Sequence, residues 1–236
     1  LSWCFGFNAL SYLAVLIGLA MIRLPAPNPR AAAVRHPSAM AGIREALRYV
    51  RNDRIMWILM RIVAVFSVLS VPILTLLPVV ARDQLHLDVS GYGMLMTCYG
   101  VGATLGALAI ASQGGRLRRG TTLAVSSLGL GVAILAFSLS RSVVFCGTML
   151  FVTGIAVITN NALINSLLQQ RVPNELRGRV MAIYMTVYVG MNPVGSFIGG
   201  WFASQVGTAW AIGSMAAPMV LFTIWAFNRY SELRKA

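Results

Sequence analysis

"RVPNELRGRV", residues 171–180, packs Arg171, Glu175, Arg177 and Arg179 into one short stretch. It lies between "GTMLFVTGIAVITNNALINSLL" (147–168) and "MAIYMTVYVGMNPVGSFIGGWFA" (181–203), neither of which carries a charge. About 20 apolar residues suffice for a helix to cross a bilayer. The charged stretch therefore reads as a turn between two membrane spans running in opposite directions. Pro173 and Asn174 suit a helix start, and Glu175 in the first turn complements the positive helix end.

The same reading extends along the chain. Apolar runs fall at 2–22, 55–80, 91–112, 121–140, 143–168, 180–204 and 210–228. They are too long and too uniformly apolar for barrel strands, which leaves helices. Pro72, Pro78, Pro193 and Pro218 lie inside runs, as bundled membrane helices tolerate. Composition agrees: 58% of residues are hydrophobic and 11% charged, against about 25% charged in soluble domains. A soluble globule of this length has too little interior to hide that much apolar surface. The net charge of +13 raises nucleic acid as a partner. Such a partner requires basic residues interleaved with aromatics on one face, whereas these fall between the apolar runs. Nucleic acid is excluded; the partner is the lipid bilayer.

The arginines also orient the chain. Alternate connections (23–54, 113–120, 171–180 and the tail from 229) hold sixteen Lys and Arg residues, while the intervening ones hold Arg82 and Arg141. This asymmetry places the sixteen, and the C-terminus, on the cytoplasmic side of a cell (inner) membrane. Within 23–54, "RLPAPNPRAAAVRHPS" reads as an extended connector. "SAMAGIREALRYVRND" reads as an amphipathic helix, with Met40, Ile43, Leu47 and Val50 on one flank and Arg44, Arg48 and Arg51 on the other. It lies along cytoplasmic headgroups or serves as a plain soluble linker. Cys4, Cys98 and Cys146 sit in apolar runs without paired spacing and read as small buried hydrophobes. The chain opens on Leu1 inside an apolar run, with no visible signal peptide, which reads as a piece of a longer protein.

"YGVGATLGALAIAS" (99–112) echoes "YVGMNPVGSFIGGWFAS" (188–204), both Tyr-led and Gly-rich. Gly102/Gly106 and Gly195/Gly199 supply small-xxx-small steps for close helix approach. They occupy the third and sixth runs, the spacing of an inverted three-helix repeat.

With "FNALSYLAVL", "GIREALRYVRNDRIMWILM", "LLPVVARDQLHLDVSGYGMLMTCYGVGATLGAL" and "NNALINSLLQQRVPNELRGRVMAIY" in this order, the chain resembles the C-terminal half of a major facilitator superfamily transporter. The likeness covers essentially the whole chain and is nearest to the enterobactin-exporter and macrolide-efflux branch. It implies an all-α polytopic bundle holding the sixth to twelfth of twelve helices: 1–22 as the last helix of the N-terminal half, 23–54 as cytoplasmic linker, 55–228 as a six-helix bundle and 229–236 as tail. In the loop "SQGGRLRRG" (112–120) the basic residues of a family signature remain and its aspartate is missing.

Intramembrane ionisable groups are the default functional candidates, yet no Asp or Glu lies within any run. A proton-coupling carboxylate then belongs to the missing N-terminal half. Arg61 alone is charged within a run, either as a substrate or gate contact or as a side chain snorkelling to the headgroups. Asn161 and Asn165 share a helix face by their spacing of four, as do Tyr184, Tyr188 and Asn192. Polar groups avoid lipid, so these faces look toward other helices or a watery cavity. The resemblance implies a central cavity there, with Tyr99 and Thr104 as weaker candidates. At the cytoplasmic gate, Arg116, Arg118, Arg119, Glu175, Arg177 and Arg179 are candidates, with Glu175 pairing to Arg116, Arg118 or Arg119 in an outward-facing latch. His36 and His86 have no ligand partners at metal spacing, and no nucleophile elbow, phosphate loop or carboxylate pair occurs. No enzyme, metal or cofactor is expected. The expectation is a secondary transporter exporting small amphipathic molecules (drug, macrolide or siderophore) with protons as coupling ion; a transporter-fold sensor or scaffold is the alternative.

Overall fold

The computed structural model describes residues 2–22, 39–113 and 118–230. They form helices and short connections, with no strand among the described residues. The chain divides into two compact units, Leu1–Met40 and Ala41–Ala236. The first contains α1, Ser2–Met21, a largely apolar helix without a charged residue.

The second unit takes in nearly all of α2 (Ala39–Asn52) and the helices that follow. They are α3 (Arg54–Leu69), α4 (Pro72–Val79), α5 (Val89–Gln113), α6 (Arg119–Leu139), α7 (Val143–Arg171), α8 (Asn174–Gly190), α9 (Asn192–Val206) and α10 (Thr208–Arg229). A π-helical turn, Val80–Gln84, extends α4 beyond the apolar run. Six helical segments are long and apolar enough to cross a membrane: Arg54–Gln84, Val89–Gln113, Arg119–Leu139, Val143–Arg171, Asn174–Val206 and Thr208–Arg229. They coincide with the runs within 55–228, and caps carry their ends past the apolar limits. Asp53 Oδ1 accepts from the amides of Ile55 and Met56 at 2.8 and 3.0 Å, starting α3. Asp88 Oδ1 accepts from the Gly91 amide at 2.9 Å and the Ser90 hydroxyl at 2.8 Å, starting α5. The Gly91 amide, and then Ser90, hold the Asp88 carboxyl below the usual carboxylate range.

Two of the four in-run prolines break their helix rather than kink it. Pro72 and Pro193 sit in the first turns of α4 and α9, while Pro78 and Pro218 lie inside α4 and α10. Proline has no N–H to give the preceding turn, so a new helix begins there.

Packing bears out the repeat. Lipid supplies no hydrophobic drive between helices, so association relies on close contact and small residues. Gly102 and Gly106 of α5 press on the Phe151 and Ile155 backbone of α7, and Gly154 of α7 presses on Tyr99 and Ala103. Gly195 of α9 presses on the Val68 backbone of α3, and Gly199 on the Pro72 ring of α4. Exchanging the first three spans with the last three turns one contact into the other, as an inverted repeat requires.

Candidate functional site

The charged hairpin is formed by the end of α7 and the start of α8, with Pro173 at the N-cap and Glu175 in the first turn of α8. Its partner is α2. Arg179 Nη1 donates to Glu45 Oε2 at 3.0 Å, and the Tyr49 hydroxyl donates to the Arg171 carbonyl at 3.2 Å. The guanidinium of Arg179 lies over Gly42, where no Cβ intervenes. Ala46 and Val50 are buried, whereas Ile43 and Leu47 are exposed. The face that α2 turns inward is therefore Gly42, Ala46 and Val50: Val50 is shared with the stripe that hydropathy alone picks out, while Gly42 and Ala46 take the places of Ile43 and Leu47. Among the described residues the ion pairs are Arg179–Glu45 and Arg82–Asp83, so Glu175 pairs with neither Arg118 nor Arg119. Arg116 lies outside the described residues. Arg118 directly precedes α6 and Arg119 is its first residue.

Between α7 and α8, a groove of about 750 Å³ runs from mid-span to this hairpin. Asn161, Asn165, Tyr184 and Tyr188 all line it, with Gln169 and Arg177 at its hairpin end. The side chains hold one another. Asn161 Nδ2 donates to the Tyr188 hydroxyl at 2.8 Å, and Tyr188 stacks parallel on Tyr184 with ring centroids 6.1 Å apart. Asn165 accepts from Gln169 one turn along. Among the described residues, the sole charge on the groove wall is Arg177.

A second, smaller cavity of about 190 Å³ lies deeper. Asn161 and Tyr188 line it as well, so their hydrogen bond stands between the two spaces. Its other walls include Tyr99, Asn192, Asn160 and Ser67. Asn160 is buried and committed to structure: its carbonyl accepts from Ser127 at 2.6 Å and its amide donates to Ala156 at 2.8 Å, tying α7 to α6. Thr104 lines neither space; it is exposed and its hydroxyl donates to the Gly100 carbonyl at 2.9 Å. Arg61, also exposed, rests over the Trp57 ring of its own helix at 4.9 Å, a cation–π contact at helical spacing of four.

Sequence reasoning missed Ser67, Ser166, Gln169 and Gln170. Gln169 continues the face of Asn161 and Asn165 at a step of four, and Ser166 and Gln170 form the adjoining row at the same step, so all three were open to discovery. Ser67 gives no such signal, being an isolated hydroxyl in an apolar helix. Among the described residues, no group of His, Cys, Asp or Glu is placed to hold a metal.

A family model described as "transmembrane secretion effector", within the major facilitator superfamily, matches residues 1–235. The chain is similar to the multidrug efflux pump Tap of Mycolicibacterium fortuitum, 26% identical over 222 residues, covering 92% of this chain and 53% of the relative. It is 24% identical over 221 residues to the pump Tap of Mycobacterium tuberculosis H37Rv, covering 91% and 52%. The chain thus spans about half the length of the curated relatives it matches. No solved structure matches.

Proposed function

The chain belongs to the transmembrane secretion effector family of the major facilitator superfamily, and from that premise we propose that it serves as one half of a secondary active exporter of small amphipathic molecules. The bundle α3–α10 works against a second six-helix bundle, and the substrate occupies the α7–α8 groove. The observation that carries this reading is the groove itself. Amides and tyrosine rings line a space of drug-sized volume at a depth where side chains facing lipid are apolar, with a guanidinium at its hairpin end. The relatives' description as multidrug efflux pumps supports drugs over siderophores as cargo.

Movement follows alternating access, the two bundles rocking about the shared cavity. Stacked tyrosines offer flat apolar surface, and amides offer both donors and acceptors, so the wall suits chemically varied ligands. Protons are the coupling ion in this reading, with the exchanging carboxylate outside this bundle, because no Asp or Glu falls within the apolar runs. The test is transport by the intact protein in proteoliposomes under an imposed pH gradient, with a panel of dyes and macrolides. Gradient-dependent movement of a panel member, abolished by a protonophore, is expected. No movement of any member would overturn the exporter reading and leave a sensor or scaffold.

A further inference from the structure

Both helix breaks meet at the smaller cavity. α3 ends at Leu69 and α4 restarts at Pro72; α8 ends at Gly190 and α9 restarts at Asn192. The pieces are fastened to each other there: Gly195 packs on Val68, and the Thr75 and Ser196 hydroxyls share a hydrogen bond of 3.0 Å. Irregular backbone at membrane depth is tolerated where it is buried in protein or lines a cavity. Discontinuous helices of this kind mark binding sites in transporters.

Most polar groups on the cavity wall are already engaged. Asn160 holds Ser127 and Ala156, the Ser70 hydroxyl donates to the Phe66 carbonyl, and the Asn161 amide donates to Tyr188. Two are left over. Ser67 is 2% exposed and its hydroxyl has no partner, and the buried Asn192 Oδ1 has none either. Both line this cavity. Leaving a buried polar atom unpaired is costly, so such an atom calls for a ligand or another explanation. Asn192 Oδ1 accepts only, which means that the missing group is a donor. Among the described residues, none of those on the wall is Asp, Glu, Lys or Arg. A bare cation, which takes about six oxygen ligands, many of them anionic, is poorly served there.

We propose that the cavity between the two helix breaks is a subsite for a compact hydrogen-bond donor of the substrate, a hydroxyl or an amine, received by Ser67 Oγ and Asn192 Oδ1. This rests on the exporter reading. The cavity of about 190 Å³ is too small for a whole drug-sized ligand, while the adjoining groove of about 750 Å³ takes the apolar body. The Asn161–Tyr188 pair lies where head and body join.

The test uses 9-anthracenemethanol, its methyl ether and 9-(aminomethyl)anthracene, titrated against the intact protein in lipid nanodiscs by anthracene fluorescence. The alcohol, the amine or both should bind about five- to tenfold more tightly than the ether; which of the two binds better tells hydroxyl from ammonium. Ser67→Ala and Asn192→Leu should erase that preference. Ser67→Ala should also leave thermal stability unchanged or raised, because the hydroxyl makes no bond in the unliganded protein. Equal binding of all three probes, no binding of any, or a Ser67→Ala protein that is less stable would each overturn the subsite. Gradient-driven transport persisting in any of those cases would show that only the subsite, and not export, had failed.

Discussion

Tyr188→Phe isolates the contact between the two cavities. It removes one hydroxyl and leaves the ring stacked on Tyr184 at 6.1 Å. The bond lost is the 2.8 Å donation from Asn161 Nδ2. Side-chain hydrogen bonds in membrane bundles contribute about 0.6 kcal/mol on average and about 1.7 at most. A donor stranded in a dry interior would cost more, about 1–3 kcal/mol. Asn161, however, is half-buried and borders the open groove, where water or ligand can replace the tyrosine. The smaller figure therefore governs, and a stability loss of about 0.6 kcal/mol, or roughly threefold in the folding equilibrium, is expected. Effects on ligands should be larger and selective. A ligand that hydrogen-bonds the hydroxyl loses about two- to tenfold in affinity, while one that only stacks loses little. The assay compares transport of a flat dye and a hydroxyl-rich macrolide by the reconstituted protein, alongside denaturant unfolding. A loss above about 2 kcal/mol with equal loss of both transports would refute the reasoning, reducing the pair to a structural crosslink.

Gly154→Ala forces a Cβ against the Tyr99 and Ala103 backbone, which cannot swing aside. It should cost about 1–3 kcal/mol, whereas Gly129→Ala, with open space around it, should gain up to about 1 kcal/mol from helix propensity; thermal unfolding of both variants checks the opposite signs. Glu45→Lys sets like charges opposite each other at the Arg179 contact and should release α2, seen as faster hydrogen exchange over residues 42–50 with a global stability change below about 1 kcal/mol. The Asp88 carboxyl is held below its ordinary range, so its capping contribution is full above the ordinary carboxylate pKa and is lost as pH falls through the lowered value. Asp88→Asn keeps the cap acceptor without the titration, and its stability should fall less steeply under acid than the wild type's.

The spans were legible because lipid imposes one requirement on every residue it touches, and uninterrupted apolar runs satisfy it. The groove was legible for a related reason: amides and tyrosines repeating every fourth residue must share a face that avoids lipid. Asn161, Asn165, Tyr184 and Tyr188 met on that logic, and Thr104 did not, because a threonine can satisfy its hydroxyl on its own helix. Partners distant in sequence stayed hidden. Glu45 and Arg179 are joined by a helix packing that no local pattern encodes. The inward face of α2 is built on Gly42 and Ala46, which carry little weight in any hydropathy pattern. Pro72 and Pro193 were visible as irregularities, but that their breaks share one cavity depends on how Gly195 and Gly199 seat α9 against α3 and α4.

Whether the α7–α8 groove carries the substrate is tested most directly by a cysteine at Asn165, with Cys4, Cys98 and Cys146 replaced by alanine. The intact protein is reconstituted and labelled with a thiol reagent, with and without a saturating transported dye. Asn165 lines the groove, whereas Thr104 is exposed outside both cavities and serves as the control position. The expected result is that dye slows labelling at position 165 severalfold, leaves labelling at 104 unchanged, and that labelling at 165 stops transport. Unchanged labelling at 165 under saturating dye, in a protein that still transports it, would contradict the groove as the substrate site.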